Sequence, residues 1–327
     1  MNARATLVHW VDAGALAAER LPDALRAADV TPSPAQWRHF VVLAFAWLGM
    51  ALLASAAVCF VAANWQALGR FAKFALLESA LVAALVVAVW RGLDMLAGRV
   101  ALFAAAVLMG VLLALVGQVY QTGADSWELF AAWAAAIAVW VVLGRQPALW
   151  LLWLALLNVA VLLYFRTSVA RGLGVAEFLF APRAGWWAVF ALDVAALVAW
   201  EAAGARWPAW GAQRWAPRVI ATVAGILVTT VLATDLLGFG RVQATWGWLP
   251  YVLWIGALYW AYRVRTRDLY MLSGMVLSLV VVIAVLIGPR LVGGGMGFGF
   301  LGTGLLILGC AAAGSYWLRA VGAEERS

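Results

Sequence analysis

Residues 100–143 read VALFAAAVLMGVLLALVGQVYQTGADSWELFAAWAAAIAVWVVL. Two apolar runs, 100–119 and 127–143, flank the polar stretch Gly117 to Glu128. The first run carries no charge and the second only Glu128 at its start. Each is long enough to cross the hydrocarbon core of a bilayer as a helix. The composition of the whole chain agrees. It is 67% hydrophobic and only 11% charged, against roughly 25% charged residues in a soluble domain. That charge cannot cover a globular surface of 327 residues, so lipid must be the solvent.

Ten runs of this kind can be counted: 40–62, 71–90, 100–119, 127–143, 148–165, 185–203, 218–238, 247–262, 269–287 and 299–318. They predict an all-α, polytopic transmembrane helical bundle of about ten spans. Short links such as Gly144-Arg145-Gln146-Pro147 predict tight hairpins. Residues 1–38 read differently. Leu7, Val8, Val11 and then Leu21, Leu25, Ala28 recur at helical spacing, broken at Gly14 and Pro22. They predict two short amphipathic helices forming a cytoplasmic cap. Ser33-Pro34 is a cap and first-position pair for the next helix. The first long run begins too far in and is too long for a cleavable signal peptide, so it is expected to stay as a span. The expected organisation is a cap at 1–38, a five-span half at 39–165 and an outer linker at 166–183. A second five-span half at 184–318 and a cytoplasmic tail at 319–327 complete it.

The net charge of +7 is no nucleic-acid footprint, because the arginines are spread singly between apolar runs. Their distribution orients the chain instead. With ten spans, one side collects 15 of the 22 basic residues and the other 7, which predicts that both termini are cytoplasmic. Trp37, Trp65, Trp90, Trp127, Trp186, Trp187, Trp207, Trp246 and Trp248 fall near predicted span ends, as interfacial anchors do. Cys59 and Cys310 are isolated, and His9 and His39 lie outside the spans, so neither metal nor cofactor is expected.

Candidate binding residues fall into two groups. Asn64, Gln66, Gln118, Tyr120, Gln121 and Asp125 emerge on one side and could line a polar vestibule. Asp125-Ser126-Trp127-Glu128 also has the spacing of a capping box, but a cap has no need of Gln118 and Gln121. Deeper in the spans lie Glu78 and Asp193, with Asn158 and Asp235. An acid near a helix centre is costly and by default faces protein or water. Glu78 and Asp193 are therefore candidate coupling or binding acids. The G-x-G-x-x-G at 297–302 lacks a preceding strand and a following acid, so it is read as a loop entering a packed helix rather than a dinucleotide site. No nucleophile–base arrangement occurs, and no enzyme activity is expected.

Val61-Ala62-Ala63-Asn64-Trp65-Gln66 and Gly117-Gln118-Val119-Tyr120-Gln121-Thr122-Gly123-Ala124-Asp125 resemble a bacterial family of predicted membrane proteins, domain of unknown function 2157. The resemblance covers residues 1 to about 165. The second half, with Arg267-Asp268 opening a span and a late Gly-rich loop, less specifically resembles unknown-function family 4401. The resemblance implies a bacterial inner-membrane location and no particular activity. Two function classes follow. One is a protein that binds or translocates a small solute, ion or lipid component. The other is a non-transporting subunit or scaffold that recruits a membrane protein partner. An inverted repeat would favour transport, but the YQTGAD segment has no counterpart in the second half.

Overall fold

A computed structural model describes residues 3–28, 34–63, 65–121, 123–170, 183–206, 214–238, 247–292 and 296–324. Twelve helices and no strand occur among them. Two compact units divide at Lys73 and Phe74.

In the first unit, α1 (Ala3–Asp12) and α2 (Leu21–Ala27) form the expected short pair. Gly14, at φ +71°, turns the chain between them, a conformation open to glycine at little cost. Asp23 and Arg26 pair on the exposed face of α2 at 3.4 Å. Helix α3 (Pro34–Ala63) begins at the expected proline, while Ser33 lies outside the described residues. Its 30 residues correspond to about 45 Å, more than the core of a bilayer. After α3, the Lys73 ammonium lies 4.8 Å from the centre of the Trp65 ring.

The second unit is a bundle continuing from α4 (Arg70–Arg91) through α5 (Leu96–Tyr120), α6 (Ser126–Gly144) and α7 (Pro147–Ala170). It then runs through α8 (Ala184–Arg206), α9 (Trp215–Leu236), α10 (Trp248–Arg265), α11 (Leu269–Val292) and α12 (Met296–Glu324). Among the described residues, eight helices are long and apolar enough to cross a membrane: α4 to α9, α11 and α12. The expected count was ten. The run 40–62 lies within α3. The run 247–262 falls in α10, which has twelve α-helical residues before its last six widen into a π turn. No single regular helix of spanning length forms there.

The hairpins are tight for local reasons. Arg145 adopts a left-handed φ of +45° after α6. Gln146, buried behind it, donates Nε2 to the Arg99 carbonyl at 3.2 Å. One core packs α4 to α7 around Leu102, Ile137, Val141 and Leu149. A second gathers α8 to α11 around Leu197, Val228, Trp254 and Leu272. Helix α7 contributes to both through Trp150. Lipid tails are as apolar as these side chains, so close packing and interhelical hydrogen bonds must hold the helices together. Gly110 illustrates the first: a Cβ there would sit 2.2 Å from the Trp133 ring. The second appears where Trp133 Nε1 donates to Ala106 O at 2.7 Å and Trp153 Nε1 to Ala134 O at 2.9 Å. Trp37, Trp90, Trp186 and Trp248 are exposed, as anchors require, whereas Trp133, Trp153, Trp200 and Trp254 serve the interior. Residues 296–302 open α12 as helix.

Candidate functional site

The polar stretch between α5 and α6 is a helix end, a turn and a helix start. Helix α5 stops at Tyr120 because Gln121 takes φ +44° and Gly123 φ +68°. Asp125 then caps α6, and its N–H donates to Glu128 Oε2 at 3.2 Å, so the expected capping box is present. The turn stands open over a cavity of about 590 Å³ between the two helices. Leu113, Gly117, Gln121, Gly123, Asp125 and Glu128 line it. Gln118 and Tyr120 are exposed and do not line the cavity. The Tyr120 ring lies 6.1 Å from that of Phe74. Gln66 is exposed in the first unit, and Asn64 lies outside the described residues.

The two deep acids occupy opposite environments, and neither lines this cavity. Asp193 is 1% exposed. Asn158 of α7 donates Nδ2 to its Oδ1 at 2.7 Å, while Asp193 Oδ2 and Asn158 Oδ1 are buried with no hydrogen-bond partner among the described residues. Glu78 is instead exposed on α4. Only Leu77, Leu81 and Ala88 of α4 are buried, and one residue's step around a helix carries Glu78 off that stripe. Of the two, Asp193 faces protein, while Glu78 lies on the uncovered side of α4.

A second polar cluster ties together α8, α9, α10 and α11, and sequence reasoning missed most of it. Arg214 places Nη1 3.0 Å from Glu201 Oε2 and Nη2 3.3 Å from Asp268 Oδ2. Arg218 grips the same Asp268 through Nε at 3.2 Å and Nη2 at 3.1 Å. Tyr262, in the π turn, donates its hydroxyl to Glu201 at 2.8 Å. Asp268 also caps α11, accepting from the Tyr270 N–H at 3.1 Å. Burial opposes the charge on Arg214, but the hydrogen bonds and negative charges of Glu201 and Asp268 outweigh it. They raise its pKa further above the usual guanidinium value. Further out, Arg263 meets Glu324 of α12 at 2.7 Å. At the opposite ends of α8 and α9, Arg183 pairs with Asp235. Asp268 before an apolar run was readable as a cap. The pairing of Glu201 with Arg214 had no local signal, because the partners lie on different helices.

Among the described residues no three of His, Cys, Asp and Glu gather as a metal site. Polar groups here bind helices to one another or open onto one turn.

Fold and site together define a multi-pass, all-helical integral membrane protein. Within it, residues 8–150 match the model of a family described as "Predicted membrane protein (DUF2157)". That stretch carries the ANWQ and YQTGAD segments. The match stops before the second half, whose resemblance to family 4401 rests on sequence pattern alone. No curated protein and no solved structure matches the chain.

Proposed function

We propose that this protein is a non-transporting membrane receptor or scaffold subunit. It binds a small solute or lipid component in the cavity between α5 and α6, and holds its second half rigid. One observation carries this reading: the helices around the deep acid Asp193 are bridged to each other by polar contacts. Asn158–Asp193 joins α7 to α8, and ion pairs join α8 to α9 at both ends. Asp268 and the Thr229–Ser278 hydrogen bond of 2.6 Å join α9 to α11. Alternating access requires one group of helices to rock against another around a midplane site. Here that motion would have to break several buried bonds at once.

The same reading sets the orientation. Arg206, Arg214, Arg218, Arg263, Arg265 and Arg267 lie in or beside the links after α8 and α10, so we assign that end to the cytoplasm of a bacterial inner membrane. The α5–α6 cavity then opens on the opposite side, where a partner or solute meets it.

Thiol labelling tests the proposal in a background with Cys59 and Cys310 replaced by Ser. Leu197→Cys, one turn beyond Asp193 and buried, is expected to stay unlabelled by membrane-impermeant reagents from either face. Gln121→Cys is expected to react from the outer face only. Labelling of residue 197 from either side would reveal a water path to the deep acid and return the protein to the carriers.

A further inference from the structure

Between α9 and α11 runs a groove of about 310 Å³, independent of the α5–α6 cavity. Gly225, Ile226, Trp254, Gly274 and Leu277 form much of its wall. Ile226 and Leu277 are more than 60% exposed, so the groove opens sideways on the bundle, where acyl chains lie. Its lining runs from Ala221 to Thr230 on α9 and from Tyr270 to Val281 on α11. At a rise of 1.5 Å per residue these spans are about 13 and 16 Å. That is close to half of the roughly 30 Å hydrocarbon core, the depth of a single leaflet.

One end of the groove is charged. Tyr270 and Thr222 line the mouth, and their hydroxyls lie 3.1 Å apart. The guanidinium carbon of Arg218 stands 5.3 Å from the centre of the Tyr270 ring. Arg218 spends Nε and Nη2 on Asp268, and its side chain is 39% exposed. Its Nη1 has no partner among the described residues. Arg214 and Arg218 match Glu201 and Asp268, Arg263 matches Glu324, and Arg265 and Arg267 add positive charge just ahead of Tyr270 in the chain.

We propose that the groove is a specific lipid site. It holds one acyl chain of an anionic bilayer phospholipid from the arginine-side leaflet, with the phosphate at Arg218 Nη1. The walls match a chain in apolarity and length, and the mouth supplies the charge that selects an anionic headgroup. An extended peptide would need partners for its own backbone groups along the groove, and the hydroxyls of Thr222, Tyr270, Thr229 and Ser278 in the lining already bond each other. Thr229 Oγ1 lies 2.6 Å from Ser278 Oγ, which lies 3.1 Å from Tyr251 Oη.

The test is native mass spectrometry of the full chain equilibrated with equal amounts of phosphatidylglycerol and phosphatidylcholine. Wild type is expected to retain phosphatidylglycerol preferentially. Gly274→Leu projects into the groove from a position where a Cβ meets nothing within 4 Å, so it fills the site without disturbing packing. Retention is expected to fall about tenfold. Arg218→Gln, accepted only if its melting transition persists, is expected to cut the preference for phosphatidylglycerol about five-fold. Equal retention of both lipids by wild type would overturn the headgroup assignment. Unchanged retention in Gly274→Leu would overturn the groove as the location. Displacement by glycerol phosphate as effective as by intact lipid would show a phosphate site with no chain bound, and would also overturn the proposal.

Discussion

The turn between α5 and α6 and the cluster joining α8 to α11 treat polar residues in opposite ways. At the turn, Gln118, Tyr120, Gln121, Asp125 and Glu128 crowd together in sequence, yet in space they cap a helix, face outward or line an open cavity. In the second half, Glu201, Arg214, Arg218 and Asp268 are scattered in sequence, yet they converge into one partly buried network. Density along the chain marks places where backbone must be turned and solvated. Density in space marks places where helices must be held together without help from the hydrophobic effect. A site open to ligand belongs to the first kind, and a structural lock to the second.

The lock should be the more sensitive of the two. Asp268→Ala removes the shared partner of Arg214 and Arg218 and the cap of α11 together. The carboxylate is buried, but Arg214 keeps Glu201 and the Arg218 side chain is 39% exposed, so losing the charge-assisted bonds and the cap together costs about 2–4 kcal/mol, a sizeable part of a typical folding stability. Unfolding in mixed micelles followed by tryptophan fluorescence should show a clearly lowered transition. A loss below about 1 kcal/mol would place the network with ordinary surface ion pairs and erase the contrast.

The turn and the helices were legible in the sequence because their signals are local. Apolar runs of sufficient length located the eight spanning helices, Pro34 marked the start of α3, and the spacing of Asp125 and Glu128 foretold the capping box. Arg145 and Gln146 formed the expected hairpin. What failed to show was pairing between helices. Nothing within a single span says that Glu201 faces Arg214, or that Asn158 faces Asp193, because periodicity gives a helix its face but not its neighbour. The run at 247–262 does form a helix, α10, but its change of winding was hidden for a related reason. Its apolar character is continuous, but the backbone widens into a π turn at Trp260, where Tyr262 turns to Glu201. The exposed position of Glu78 was not legible either, because apolar context alone does not say which side of α4 is covered.

The two regions also differ in how their helices touch, and Gly110→Ala sharpens the point. Between α5 and α6 the fit is steric, since the added methyl would overlap the Trp133 ring. Forcing that ring away from its bond to Ala106 should cost about 1–3 kcal/mol, read as a lowered melting temperature. Gly256, where a Cβ meets nothing within 4 Å, is the control and should tolerate alanine.

Asp193 lies between these extremes, as a buried acid with one neutral partner. Asp193→Asn keeps an acceptor for Asn158 and should leave stability almost unchanged. Asp193→Leu strands the Asn158 amide, and a cost of about 1–2 kcal/mol is expected from the range seen for interhelical bonds in membranes. If the asparagine variant proved as damaging as leucine, the carboxyl itself would be needed, and the lock around α7 and α8 would have to include an ionic or proton-bearing role.

The smallest effect should carry the opposite sign. Gln121 is a non-glycine residue in the left-handed region, where a side chain strains the backbone. A purely structural turn would be better served by glycine, as at neighbouring Gly123. Gln121→Gly should therefore stabilise the protein by about 0.5 kcal/mol, net of the extra freedom given to the unfolded chain. It should also remove a polar side chain from the cavity wall. A higher melting temperature would mean that the turn carries strain for the sake of the amide it presents. That is the signature of a binding position held at some expense to stability. A lower one would mean that the glutamine amide holds the turn together, and the α5–α6 region would then join α8 to α11 as a second lock.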